Sequence, residues 1–239
     1  MKFAAVLLSS LVSINAFDAP DFTSVKHVAA QIFEDINSGD IDVKELKAND
    51  GPNWELPAQY STTLYAQVYG SANGLNVTEV CNKFVSDTIS GNSALQCLAT
   101  LTTSTASVDS RPATTITKGG VKTEIQSFDA TTNAVVCETS AADNVHHVEH
   151  LNALRGSVPI YVSTVFLGAR LTDAYLLADG DSSQQKLLFF HAISNELVAM
   201  MINSSEQNTV AIYGAFVALE DVDQSLFDTP SHLTCTPKE

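Results

Sequence analysis

Residues 146–150 read His-His-Val-Glu-His, inside the segment that runs from Asp143 to Gly156. Read as H-x-x-E-H, this is the zinc-site pattern of a class of peptidases. With Asp143 as cap and Gly156 as stop, the segment predicts a helix of about three turns, on which His146 and His150 lie one turn apart on the same side. Such a hydrolase also needs Glu149 set against a metal-bound water and a third protein ligand. Everything after Gly156 reads as strand, and the later acids Glu196, Glu206 and Glu220 fall in turns or strand ends. The apolar residues Val145, Val148, Leu151 and Leu154 occupy the face opposite His146, Glu149 and His150. The expectation is therefore a solvated polar face that titrates near pH 6.5, with no catalytic residue and no metal assigned. A zinc-dependent hydrolase built on His146, Glu149 and His150 stands as the alternative.

Other candidate chemistry is sparser. The run Asp179-Gly180-Asp181-Ser182-Ser183 starts like a calcium loop, but Gln184 stands where the loop needs glycine and no glutamate closes the frame. It reads as a turn. There is no G-x-S-x-G elbow and no glycine-rich phosphate loop, and no cofactor is implied. His191, on a strand, reads as a satisfied core histidine, and Trp54 as a lid or edge-packing residue between Pro52 and Pro57.

The ends and the composition limit what these residues can serve. Residues 1–16 carry one lysine, an apolar run from Phe3 to Ile14 and a small residue at Ala16, which predicts a secretory signal cut before Phe17. A plastid-import junction is disfavoured by the acids that follow at Asp18, Asp21, Glu34, Asp35, Asp40 and Asp42. The apolar run falls short of the ~20 residues a spanning helix requires, so the chain is expected not to be transmembrane. Residues 17–239 show no linker or shift in composition and read as one domain. The net charge of −15 repels phosphate backbones and argues against nucleic acid as a partner. Four cysteines behind a secretory signal point to two disulfides, in any of three connectivities. Cys81 with Cys97 and Cys137 with Cys235 is preferred, because the first pair is near in sequence and the second ties the C-terminus to the sheet. Asn76 and Asn203 open glycosylation sequons.

The elements follow from periodicity. From Phe22 the apolar residues Val25, Val28, Ala29, Ile32, Phe33 and Ile36 recur at three and four, with Asp21 as cap and Asn37-Ser38-Gly39 as stop, predicting an amphipathic helix. Tyr60–Tyr69 reads as a strand, and Thr78–Ser90 as a short helix stopped by Gly91. Beyond it, strands are expected over 98–105, 121–128, 134–139, 160–167, 171–178, 186–192, 197–203 and 209–219, joined by short polar links as hairpins. An antiparallel sheet with one wet face alternates apolar and polar residues. Leu187-Leu188-Phe189-Phe190 and Leu197-Val198-Ala199-Met200-Met201-Ile202 do not alternate, so both faces of this hairpin must be covered.

The runs 158–180, 186–202 and 209–235 resemble the C-terminal half of eukaryotic secreted LolA-like proteins, a group that overlaps the ependymin-related proteins. The resemblance is carried by the closing pattern Asp223, Phe227, Asp228, Pro230 and Cys235, and by the hairpin 121–137 ending in Cys137. Its motifs are degenerate and cover about the second half of the chain; the first half, including the Thr-rich stretch 99–117, finds no match. The resemblance implies an α+β, mostly antiparallel half-open barrel with helices plugging one side and an apolar cavity suited to acyl chains. It supplies no catalytic residues. The expected function is a secreted, non-enzymatic carrier whose partner is a lipid or other apolar small molecule. Leu188, Phe190, Val198 and Met200, taken from one possible strand face, are the candidate ligand residues. A structural extracellular protein with a filled core is the third reading, and protein partners are left open.

Overall fold

The structure, a computed structural model, describes residues 21–42, 46, 55–70, 76–102, 109–126, 135–141, 159–177, 184–204 and 207–238. The N-terminal helix α1 (Phe22–Ser38) begins where the sequence predicts: Asp21 accepts a hydrogen bond from the Ser24 amide, and Gly39 closes the helix in the left-handed conformation that lacks a steric cost only for glycine. Its buried stripe is Val25, Ala29, Ile32 and Phe33, one face of a 3.6-residue repeat.

The other described elements are strands. In chain order they are β1 (Gln59–Tyr69), β2 (Asn76–Asp87), β3 (Asn92–Thr102), β4 (Asp109–Lys118), β5 (Val121–Gln126), β6 (Val136–Ala141), β7 (Pro159–Leu167), β8 (Arg170–Leu177), β9 (Gln184–His191), β10 (Leu197–Ser204), β11 (Asn208–Tyr213), β12 (Val217–Ala218) and β13 (Thr236–Pro237). A 3₁₀ turn spans Gln224–Phe227. The strands form one sheet in the order β13-β6-β5-β4-β3-β2-β1-β11-β10-β9-β8-β7, with β12 added to β1. Every pairing is antiparallel except β13 with β6. β7 and β13 end the order without meeting, so the sheet is open.

Three expectations need correction. Residues Thr78–Ser90 form no helix: they belong to β2 and the turn after it. β4, within the Thr-rich stretch, is a strand the pattern did not announce. The single strand expected over 209–219 is two, β11 and β12, separated by Gly214-Ala215-Phe216. Among the described residues α1 is the one α-helix, and the His146–His150 segment lies outside them.

The core has two main layers, one on each face of the same strands. Leu187, Phe189, Ala199, Met201 and Val210 pack on one face against Val25, Ala29, Ile32 and Phe33 of α1. Tyr175, Leu188, Phe190, Leu197, Met200, Ile202 and Tyr213 lie on the other, continuous with Leu64, Tyr60, Phe84 and Leu95 of β1 to β3. The lack of alternation in the sequence of β9 and β10 is this double burial. A smaller cluster of Val85, Ile116, Val222 and Phe227 fastens the 3₁₀ turn to the sheet.

Both cysteine pairs are joined as preferred. Cys81 and Cys97 face each other across β2 and β3, and Cys137 of β6 holds Cys235 just before β13.

Candidate functional site

The candidate ligand residues divide between two places, and a β-bulge makes the division. In β10, Leu197 pairs with Phe190 and Ala199 with Phe189, so Val198 is an extra residue with no partner across the ladder. The bulge puts Leu197, rather than Val198, on the face of Met200. Leu188, Phe190 and Met200 therefore come together with Leu197 on the face away from α1, all four buried. On this inner face Tyr175 meets Phe190 edge to face with ring centroids 5.5 Å apart, and Tyr60 meets Phe216 at 5.4 Å. No described helix lies on it.

Val198 lines a separate groove of about 560 Å3 at the end of the sheet that also carries the N-terminus of α1. Its apolar walls are Val25, Leu167, Leu197, Val198, Ala199 and Ile212; its polar groups are Asp21, Thr63, Tyr65, Arg170 and Glu196. The floor depends on close backbone approach. The Gly214 amide donates to the Thr63 carbonyl at 2.9 Å, and Thr62 Oγ1 donates to the Gly214 carbonyl at 3.0 Å. A Cβ on Gly214 would lie 2.2 Å from Thr63 Oγ1, so a side chain there meets a wall. Thr63 in turn stands opposite a second bulge, at Asn82 of β2.

Tyr213 borders the groove at the end of β11, but its side chain packs in the inner apolar cluster, on the face opposite the groove wall Ile212. Burial, with the neighbouring Tyr60 phenol adding to it, pushes its hydroxyl well above the usual tyrosine range, so the group stays protonated. That buried hydroxyl has no hydrogen-bond partner among the described residues. It is a polar point inside the buried inner layer, and nothing in the sequence pattern marked it.

The remaining calls are placed as follows. His191 ends β9, half-buried, and its Nδ1 accepts the Ser194 amide at 3.2 Å, which makes it a turn acceptor and not a core residue. Glu196 accepts from Ser194 Oγ at 3.0 Å in the same turn. Asn76 opens β2 and Asn203 lies near the end of β10, both half-exposed. Asn203 borders an open hollow with Asn37, Tyr69 and Asn208 beside the C-terminal end of α1. Among the described residues no group of three or more His, Cys, Asp or Glu is placed to hold a metal, and no helix is long and apolar enough to cross a membrane. His146, Glu149 and His150, Trp54 and the Asp179–Ser183 run lie outside the described residues.

No protein-family model and no curated protein sequence matches the chain. Solved structures that resemble it include a LolA-superfamily protein from Nitrosomonas europaea, 12% identical at a TM-score of 0.35, with 77% of this chain and 96% of that one covered. LprF from Mycobacterium bovis is 13% identical at a TM-score of 0.40, over 82% of this chain and 96% of that one. The lipoprotein LppX from Mycobacterium tuberculosis is 11% identical at 0.38, over 82% and 99%.

Proposed function

We propose that this chain is a non-enzymatic binding or carrier protein for a lipid or another amphipathic molecule. The observation that carries the reading is the 560 Å3 groove, whose apolar walls are set among the polar groups of Thr63, Tyr65, Arg170 and Glu196. That volume lies within the range of small-molecule sites, about 300–1,000 Å3, which combine an apolar lining with a few polar groups to orient the ligand. Val198, Leu167 and Ile212 remove the apolar body from water, and Tyr65 and Arg170 are the lining side chains that can donate to an oxygen of the head. Leu188, Phe190 and Met200 form the buried apolar layer on the other face of the same strands, which a longer chain would enter by displacing their packing. Removing on the order of 300 Å2 of apolar surface at about 25 cal/mol per Å2 gives several kcal/mol before association costs, which places affinity near the micromolar range.

The resemblance of the second half to secreted LolA-like and ependymin-related proteins supports the same reading. Secretion is part of the proposal, supported by the signal-like residues 1–16 and the two disulfides. Asn76 and Asn203 are the glycan acceptors it entails, and a mature chain starting at Phe17 with two occupied sequons is the mass-spectrometric outcome expected.

Native mass spectrometry of protein purified without detergent, followed by titration with a fluorescent fatty acid, tests the binding. A bound apolar molecule and saturable binding are expected, and Val198→Trp, which fills the groove, should weaken binding at least tenfold without altering the circular dichroism spectrum. A folded Val198→Trp with unchanged affinity removes the groove from the proposal. A second reading, a structural protein with a filled core, is favoured by the near-complete burial of Leu188, Phe190 and Met200; absence of saturable binding by the native chain would leave it standing.

A further inference from the structure

The three most exposed large apolar side chains among the described residues are Ile193 at 83%, Ile89 at 76% and Phe166 at 65%. The strand register puts all three at one end of the sheet. Ile193 lies in the turn between β9 and β10, and Ile89 in the turn between β2 and β3. Phe166 pairs with the exposed Leu171 next to the β7–β8 turn. The pairings Phe190 with Leu197, Ala199 with Ile212, Leu64 with Tyr213 and Gln59 with Asp87 carry that end across from β9 to β2. Val121, exposed just after the Gly119-Gly120 turn, extends it to β4 and β5. The register also places Leu171 and Phe166 on the inner face, separated from the apolar layer at Tyr175 by the polar pair Thr164 and Asp173.

Ile193, Ile89, Phe166 and Val121 thus lie at one end, which also borders the groove lined by Leu167, Gly168, Arg170 and Val198, while of the exposed apolar residues Val135 lies at the other.

We propose that these turns are a lipid-bilayer docking rim, set on a neutral or zwitterionic surface. The occupant follows from two features. Ile193, Ile89 and Val121, set singly in or beside separate turns, form no continuous apolar face for a rigid protein partner, but each can enter the boundary between headgroups and acyl chains. A net charge of −15 opposes an anionic surface, so insertion rather than charge drives the contact. Docking in this orientation brings Leu167, Gly168 and Arg170 of the groove lining close to the membrane, where amphipathic molecules reside.

Flotation with phosphatidylcholine vesicles tests this directly. The native chain is expected to float with the vesicles, and less so when a third of the lipid is phosphatidylglycerol at low salt. Ile193→Asp alone should lower the partition coefficient several-fold, and Ile193→Asp with Phe166→Asp and Ile89→Asp at least tenfold. Val80→Asp and Leu98→Asp serve as controls, since these residues pair in mid-sheet, exposed and far from the turns. Titration with the fluorescent fatty acid in the absence of vesicles should be unchanged in the rim variants, which separates failure of docking from failure of ligand binding. No flotation of the native chain, equal loss from the mid-sheet controls, or flotation that rises with phosphatidylglycerol would each overturn the proposal. So would light scattering that shows a dimer dispersed by the same rim substitutions, because the occupant would then be a second copy.

Discussion

At the scale of single residues, two contacts decide local geometry and can be tested without knowing the ligand. Gly214 is fixed by space: any Cβ there meets Thr63 Oγ1 at 2.2 Å while both backbone groups of Gly214 are engaged by Thr62 and Thr63. Gly214→Ala is expected to cost about 1–3 kcal/mol, as overpacking does, and Thr63→Ala in the same chain should restore most of it, a coupling that urea unfolding of the double-mutant cycle measures. Asp87 is the second case. Its burial raises the carboxyl pKa, but hydrogen bonds from Ser90 and Gln224 outweigh that and hold it below the usual range. Gln224 Nε2 donates to it at 3.0 Å and the Ile89 amide at 3.1 Å, so the carboxylate ties the β2–β3 turn to the 3₁₀ turn at Gln224–Phe227. Because the folded-state pKa is depressed, its contribution is present in full above the ordinary aspartate range and is lost as pH falls through that range and below it. Thermal unfolding should show Asp87→Asn less stable than the native chain at pH 7, with the gap narrowing toward pH 3. An undiminished gap would assign the loss to geometry instead of charge.

At the scale of elements, the parts legible in the sequence are those whose period is unbroken. α1 shows its 3.6-residue stripe, Asp21 cap and Gly39 stop, and the structure keeps all three. β2 was unreadable for a physical reason. Cys81 and Phe84 share the inner face although they are three apart, because the bulge at Asn82 absorbs one residue, and that spacing imitates a helix. The same slip occurs in β10, where Leu197 and Met200 share a face across the bulge at Val198. Period-two counting placed Val198 with Phe190 and Met200, and the bulge is why it does not belong there. The bulges also shape the groove, so the candidate site is illegible where the strand pattern breaks. β4 was hidden by composition, since Thr114, Thr115 and Thr117 have high strand propensity but form no apolar rhythm. The disulfides give a prediction at this scale. Cys81–Cys97 spans 16 residues and Cys137–Cys235 spans 98. In the chain-entropy account, loops of those sizes contribute about 3 and about 4.7 kcal/mol. Replacing Cys137 and Cys235 by serine should therefore lower the urea midpoint more than replacing Cys81 and Cys97. It should also expose the C-terminal segment to proteolysis, because the two-residue β13 is its one described strand pairing with β6.

At the scale of the whole molecule, charge and apolar surface act on the same ligand in opposite senses. Twenty-seven acidic residues against 12 basic ones set up a field that disfavours anions everywhere around the groove, and Asp21 and Glu196 at its lining outnumber Arg170. An apolar tail gains the same burial whatever head it carries, so the head decides preference. A single-chain phosphatidylcholine should accordingly bind more tightly than the fatty acid of equal chain length at 10 mM salt. Screening shortens the reach of the field from about 30 Å at 10 mM to about 8 Å at 150 mM, so the two affinities should converge as salt is added. Convergence should come from the fatty acid strengthening, while the zwitterion stays nearly constant. Calorimetric titration at the two salt concentrations reads this. Thermal unfolding gives an independent measure, since ligand at about 100 times Kd stabilises by about 2.7 kcal/mol, a rise in Tm of several degrees for a chain of this size. A fatty acid that binds more tightly than the zwitterion at low salt would mean that Arg170 governs the site against the field of the molecule, and Arg170→Gln would then be expected to reverse the order.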